Sequence, residues 1–285
     1  MAKSKIIVLL LLTVLVFINL TRAASFKKYL ESNGEEVQEV GEYGNKFEGD
    51  IILTNEQRLT VDNLDESRNG LRGATKRWPD KVIVYHIDED DFDEKQIAMI
   101  EEGMADIANK SCLKFRPRQN EKEHAVVIQG SANGCFSNVG FSVQDDSDEE
   151  NQVLNLSKGC FRHGTVVHEM LHTIGFYHMQ STYDRDDFVK INWENISPGT
   201  EHNFAKYNND TVTDFGVVYD YGSVMHYPEK AFSKNGNKTI EPLQENVTIG
   251  QRNGLSESDV LKLNKMYCEE SGSESIISYL VNNLL

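Results

Sequence analysis

His168-Glu169-Met170-Leu171-His172-Thr173-Ile174-Gly175-Phe176-Tyr177-His178 is the stretch that decides how this chain folds and what it holds. Residues four apart share one face of a helix, so a helix from Phe161 to Phe176 aims the imidazoles of His168 and His172 at one metal ion. Glu169, one step round, stands close enough to hold a water without being a ligand. Gly175 lets the chain leave the helix by a turn that residues with side chains resist. His178, six residues after His172, then brings back a third nitrogen. Neutral imidazoles, an open position and a poised carboxylate are what zinc-assisted hydrolysis needs. Any one of these histidines reads as a satisfied core residue, but three at this spacing do not.

Outward from that helix, Asp184-Arg185-Asp186 and Ser223-Val224-Met225-His226-Tyr227 follow on the C-terminal side. Upstream, Val82 to Ile87 is a near-continuous β-branched and aromatic run that predicts a strand buried on both faces. Asp93 to Asn109 carries Ile97, Ile100, Met104, Ile107 and Ala108 at helical spacing. Ala125 to Ile128 and Gln152 to Leu154 predict further short strands. Between them, Asp145 to Glu150 lacks the alternating ligands and central glycine of a calcium loop and reads as solvated. Residues 179–254 are rich in Asn, Gly, Asp and Tyr with weak periodicity, which predicts irregular structure held by side-chain hydrogen bonds and a staple. Ser256 to Asp259 resembles a capping box, with Asp in place of Glu, opening a helix that stops beside Cys268.

The ends and the composition set the compartment. Lys3 and Lys5, the apolar run Ile6 to Leu20 and Thr21-Arg22-Ala23 read as a secretory signal over 1–23. The run is shorter than the roughly 20 residues of a spanning helix, so no membrane anchor is expected. With 29 Lys+Arg against 45 Asp+Glu, the 285-residue chain has a formal charge of −16, which argues against nucleic acid as a partner. In an oxidising compartment Cys112, Cys135, Cys160 and Cys268 predict two disulfides, for which three pairings exist. Sequons at Asn109, Asn155, Asn195, Asn209, Asn237 and Asn246 fit export.

The pattern His168-Glu169-x-x-His172-x-x-Gly175-x-x-His178 is the metzincin signature. Together with Asp184-Arg185-Asp186, the Met225-His226-Tyr227 turn, Trp78-Pro79, the four cysteines and Leu263-x-x-Met266-Tyr267-Cys268, it makes the chain resemble the astacin family of secreted zinc endopeptidases over 69–268. The resemblance implies an α+β fold of two halves: a twisted, mostly parallel sheet with two helices above the cleft, and an irregular lower half with a C-terminal helix. It implies one zinc per subunit, held by His168, His172 and His178 over the apolar floor of Met225. Tyr227 is then a switchable fifth ligand that also stabilises the oxyanion, and Glu169 is the general base. It further implies bridges Cys112–Cys268 and Cys135–Cys160, and makes Cys135-Phe136-Ser137 an edge strand for extended protein or peptide substrates. No CUB-like or EGF-like tail is expected, and 269–285 reads as a short tail. The competing reading is a catalytically silent secreted zinc-fold binding protein, which usually loses a ligand or the glutamate. A structural zinc site would need four closing protein ligands.

Residues 24–68 then read as a prosegment. Its Phe47-Glu48-Gly49-Asp50 resembles the family motif in which the Asp carboxylate sits on zinc, so Asp50 is expected as a ligand in the unprocessed chain only. Arg68, before Asn69, suits an activating trypsin-like protease. Met179 stands where the family usually has the Glu that anchors the new N-terminus, so that end is expected on neutral hydrogen bonds or mobile.

Overall fold

The computed structural model describes residues 44, 46–62, 75–142, 151–207 and 213–269, all within the unit 39–285. The leader 1–23, the Arg68 site, the acidic run 145–150, Asn209 and the tail beyond Glu269 lie outside the described residues. The elements that position the site are β1 Ile51–Ile52, α1 Asn55–Asp62, β2 Val82–Ile87, α2 Glu94–Lys110, β3 Lys114–Pro117, β4 Val126–Gln129, β5 Cys135–Asn138, β6 Gln152–Leu156, α3 His163–Ile174, β7 Val189–Ile191, β8 Ile240–Pro242 and α4 Glu257–Tyr267. The main sheet runs β1-β5-β6-β4-β2-β3. β5 pairs antiparallel with β6, and the other neighbours pair in parallel. This is the mostly parallel α+β architecture expected from the metzincin resemblance. No helix among the described residues is long and apolar enough to cross a membrane.

Local chemistry explains the helices. Asp93 caps α2 and Gln96 returns the bond, and the helix buries Ile100, Gly103, Met104 and Ile107. At Gly103 a Cβ would stand 3.0 Å from Val166 and 3.3 Å from the Met170 sulfur, so its hydrogen lets α2 lie close on α3. Helix α3 keeps within the predicted 161–176. Its start waits for the turn Lys158–Cys160 to finish, and Gly175, at φ 121°, ends it.

Two expectations need correction. In β2 only Ile83 is buried and the rest is half-buried, because the neighbouring β3 is the outermost strand of the sheet. No staple holds 179–254: Cys112–Cys268 joins the end of α2 to the end of α4, and Cys135–Cys160 joins β5 to the turn before α3. The lower half rests instead on short 3-10 turns, the β7–β8 pair and a core around Phe204, Tyr227 and Ile240. Arg185 is 4% exposed and gives hydrogen bonds to the carbonyls of Gln180 and Phe204. Asn155 is also fully buried, with its amide donating to the carbonyls of Ala132 and Gly134, so that sequon has no room for a glycan in the fold.

Helix α1 was not anticipated. Its signal is Thr54-x-x-Gln57: the Gln57 amide N–H donates to Thr54 Oγ1 (3.1 Å) and the Gln57 side chain accepts from Thr54 N (2.9 Å). Gln57 is itself buried, donating to Val139 O and Thr75 Oγ1, while Ile51 and Leu53 pack on Val139.

The bridges differ in the length of chain they close, 156 residues against 25. On chain entropy, replacing Cys112 and Cys268 by Ser is expected to cost about 5 kcal/mol, and replacing Cys135 and Cys160 about 3.5 kcal/mol. Denaturant unfolding of the two double variants tests the order, and a smaller loss for the longer loop would refute it.

Candidate metal centre and active site

Helix α3 aims His168 and His172 across one face, and the Gly175 turn returns His178 beside them. Each ring is fixed by its Nδ1: His168 donates to Val224 O (2.7 Å), His172 to Phe176 O (2.7 Å) and His178 to the Glu48 carboxylate (2.8 Å). That assignment of protons leaves three Nε2 lone pairs converging. His168 Nε2 lies 3.2 Å from His172 Nε2 and 3.3 Å from His178 Nε2. The Asp50 oxygens stand 3.3, 3.5 and 3.3 Å from the Nε2 atoms of His168, His172 and His178. Donors ~2.0–2.1 Å from a tetrahedral zinc are about 3.4 Å apart, and the five separations above lie at that spacing, with both Asp50 oxygens taking part. All four residues are buried.

The electrostatics agree. Burial would raise the Asp50 carboxyl, but His178 and His172 outweigh it and hold it well below the usual carboxylate range. Burial lowers both His172 and His178. At His172 it outweighs Asp50 and the imidazole goes down to about 4; His178 has Asp50 and Glu48 on either side and is raised to about 9. A dication at this position satisfies the Asp50 carboxylate without a proton on any Nε2.

Glu169 is fully buried and neither of its oxygens has a hydrogen-bond partner among the described residues. Burial first, then the charge of Asp50, pushes its carboxyl well above the ordinary value. Tyr227 is also fully buried, with its ring 4.6 Å from that of His178. Its hydroxyl donates to the Glu48 carbonyl.

Sequence reasoning missed Glu48 and Tyr207. Glu48 is 1% exposed and accepts from the Tyr207 hydroxyl (2.7 Å) as well as from His178. It fills the variable position of the prosegment motif, so only its acidic character could have drawn notice. Nor is β5 the edge of the sheet in this chain: β1 covers it in parallel, with Ile51 opposite Ser137. The four cysteines stand apart from this centre as the two bridges.

The floor is braced from α4. Asp259 accepts from Ser223 Oγ, Val224 N and Ser256 N, so one carboxylate serves both the helix cap and the turn that carries Met225. This double duty explains why Asp stands where a capping box usually has Glu. Asp259→Ala strands those buried donors and is expected to cost about 3 kcal/mol. Thermal unfolding measures it, and a loss no larger than that of an exposed residue would contradict the bracing.

A family model described as Astacin, a peptidase family, matches residues 70–268. Zinc metalloproteinase nas-13 of Caenorhabditis elegans is 35% identical over 233 residues, 78% of this chain and 50% of that protein. The chain thus spans about half the length of that relative. Seminal metalloprotease 1 of Drosophila melanogaster is 38% identical over 205 residues, 70% of this chain and 81% of that protein. Among solved structures, high choriolytic enzyme 1, a hatching enzyme zinc-protease of Oryzias latipes, is similar with a TM-score of 0.59 and 36% identity, covering 68% of this chain and 93% of that one. A buried tetrahedron of three histidines and a carboxylate, on a fold and a sequence shared with these peptidases, leads to one conclusion: the chain belongs to the astacin family.

Proposed function

We propose that the protein is a secreted zinc endopeptidase made as a latent zymogen. The observation that carries this reading is the set of three Nε2 atoms and one Asp50 carboxylate at tetrahedral spacing, with Glu169 buried beside them. His168, His172 and His178 are the metal ligands, and Asp50 takes the fourth position until the prosegment leaves. When bound there, zinc supplies Lewis-acid polarisation and lowers the pKa of a water to about 7.

The chain's own groups do the rest. Glu169 takes a proton from the attacking water and gives it to the departing amine, a role suited to a carboxylate whose pKa is lifted by burial. Once Glu48 withdraws, the Tyr227 hydroxyl turns from its carbonyl to the oxyanion of the substrate. The outer side of β5 takes extended polypeptide after β1 departs, by the same backbone pairing that β1 now uses.

Activation follows from a cut after Arg68 by a trypsin-like protease, leaving 69–268 as the peptidase domain. Lys262 supports the reading that the new N-terminus is not anchored as a buried ammonium at Met179. It is 7% exposed, and its ammonium already stands 3.1 Å from the Met179 sulfur. The silent-binder reading has no substituted ligand or base to favour it. Casein hydrolysis by the trypsin-treated chain, abolished by a chelator and restored by zinc, is the expected result. Inactivity with zinc bound would defeat the enzyme reading.

A further inference from the structure

The three ring nitrogens that face away from the metal position are not treated alike. His168 and His172 donate to backbone carbonyls of the peptidase region itself, Val224 and Phe176, and those acceptors stay after activation. His178 donates instead to Glu48, a residue of the segment that is to be removed. The Glu48 carboxylate is 1% exposed and its other oxygen is held by Tyr207 at 2.7 Å, so it is fixed in place rather than shared with water. Its backbone sits at φ 46°, a left-handed conformation that a glutamate adopts only where its surroundings impose it. Gly49, at φ 85°, completes the turn, with its N–H on Lys46 O. The turn therefore delivers two acidic side chains to one histidine: Asp50 to the Nε2 side and Glu48 to the Nδ1 side.

We propose that Glu48 is an outer anchor of the zinc site, acting through His178, so that the latent chain binds zinc more tightly than the activated enzyme does. The inference rests on the zymogen reading above and adds to it a second task for the prosegment, metal loading. A carboxylate on the far nitrogen of a metal-binding imidazole fixes its tautomer and orientation and raises its basicity, and losing such a partner typically costs 10–100-fold in metal affinity. Glu48 is a positioning residue here, since it reaches the metal only through the ring.

Competition for zinc between the full-length latent chain and a chelator of known affinity tests this. Glu48→Gln keeps the shape and a hydrogen-bond acceptor but removes the charge, and is expected to weaken zinc binding roughly 10–100-fold. Tyr207→Phe removes the other hydrogen bond to the same carboxylate and leaves the His178 contact, and is expected to keep the affinity. The trypsin-activated wild type, which loses Glu48 together with Asp50, is expected to bind more weakly than a precursor carrying Asp50→Ala alone, and equal affinity of those two would overturn the proposal. An unchanged affinity in Glu48→Gln would overturn the proposal. Equal losses in Glu48→Gln and Tyr207→Phe would overturn it too, because docking of the prosegment would then set the affinity. These measurements read zinc and not turnover, so they stand apart from the latency test on Asp50.

Discussion

Alanine at position 169 is expected to lower casein hydrolysis by the trypsin-activated chain roughly 10²–10⁴-fold, the usual contribution of general acid–base catalysis, while one zinc per chain stays bound. The separation of the two effects follows from geometry. Glu169 is not one of the three imidazole ligands, and His168 and His172 are fixed by Val224 and Phe176, which stay after activation. The carboxylate is buried with no hydrogen-bond partner among the described residues, so its removal strands no protein donor. Zinc content by elemental analysis and kcat/KM on a quenched peptide are the paired readouts. Full turnover by Glu169→Ala would remove Glu169 as the base, and loss of zinc would show that the residue is needed for the site itself.

The second large effect is expected at Asp50. Asp50→Ala in the uncut chain removes the group that meets all three Nε2 atoms at 3.3–3.5 Å. Counted as the single buried bond to a charged group that it makes at the metal position, Asp50 contributes about 1.5–3 kcal/mol, and every 1.4 kcal/mol is tenfold in an equilibrium. Opening of the cleft is therefore expected to rise roughly ten- to hundredfold, read as peptide hydrolysis by a chain that still carries residues 24–68. The prosegment keeps its other contacts through Ile51, Leu53 and Gln57, so activity short of the fully processed enzyme is the expected outcome. A variant as silent as the wild-type precursor would count against the plug.

What the sequence made legible follows from how local each signal is. The spacing from His168 to His178 could be read because a helix repeats every 3.6 residues and a glycine marks its end. The cap at Ser256 and Asp259 could be read for the same reason, although its second task under Met225 could not, since Ser223 is remote in sequence. Lys114–Pro117 became a strand without a readable pattern, because its register is set by Val82 to Tyr85 beside it. The run Val82 to Ile87 misled: its composition fits a strand covered on both faces, but its place next to the outermost strand depends on topology. Glu48 was illegible for a further reason. Its meaning lies in the direction a left-handed turn gives its side chain, and nothing in the residue type encodes that.

The way Asp50 sits has a consequence for storage. The group turned toward the three histidines is a side-chain carboxylate, while the Asp50 backbone carbonyl faces the other way and accepts from Ser137 N at 2.9 Å. The Glu48 carbonyl is likewise taken, by Tyr227. The Asp50 carbonyl is thus turned to a donor of β5, and the place facing the three histidines is taken by a side chain and not by a peptide bond. On the zymogen reading proposed above, such a precursor is expected to resist self-digestion, with its shelf life set by how often β1 peels from β5 and its release by the activating protease.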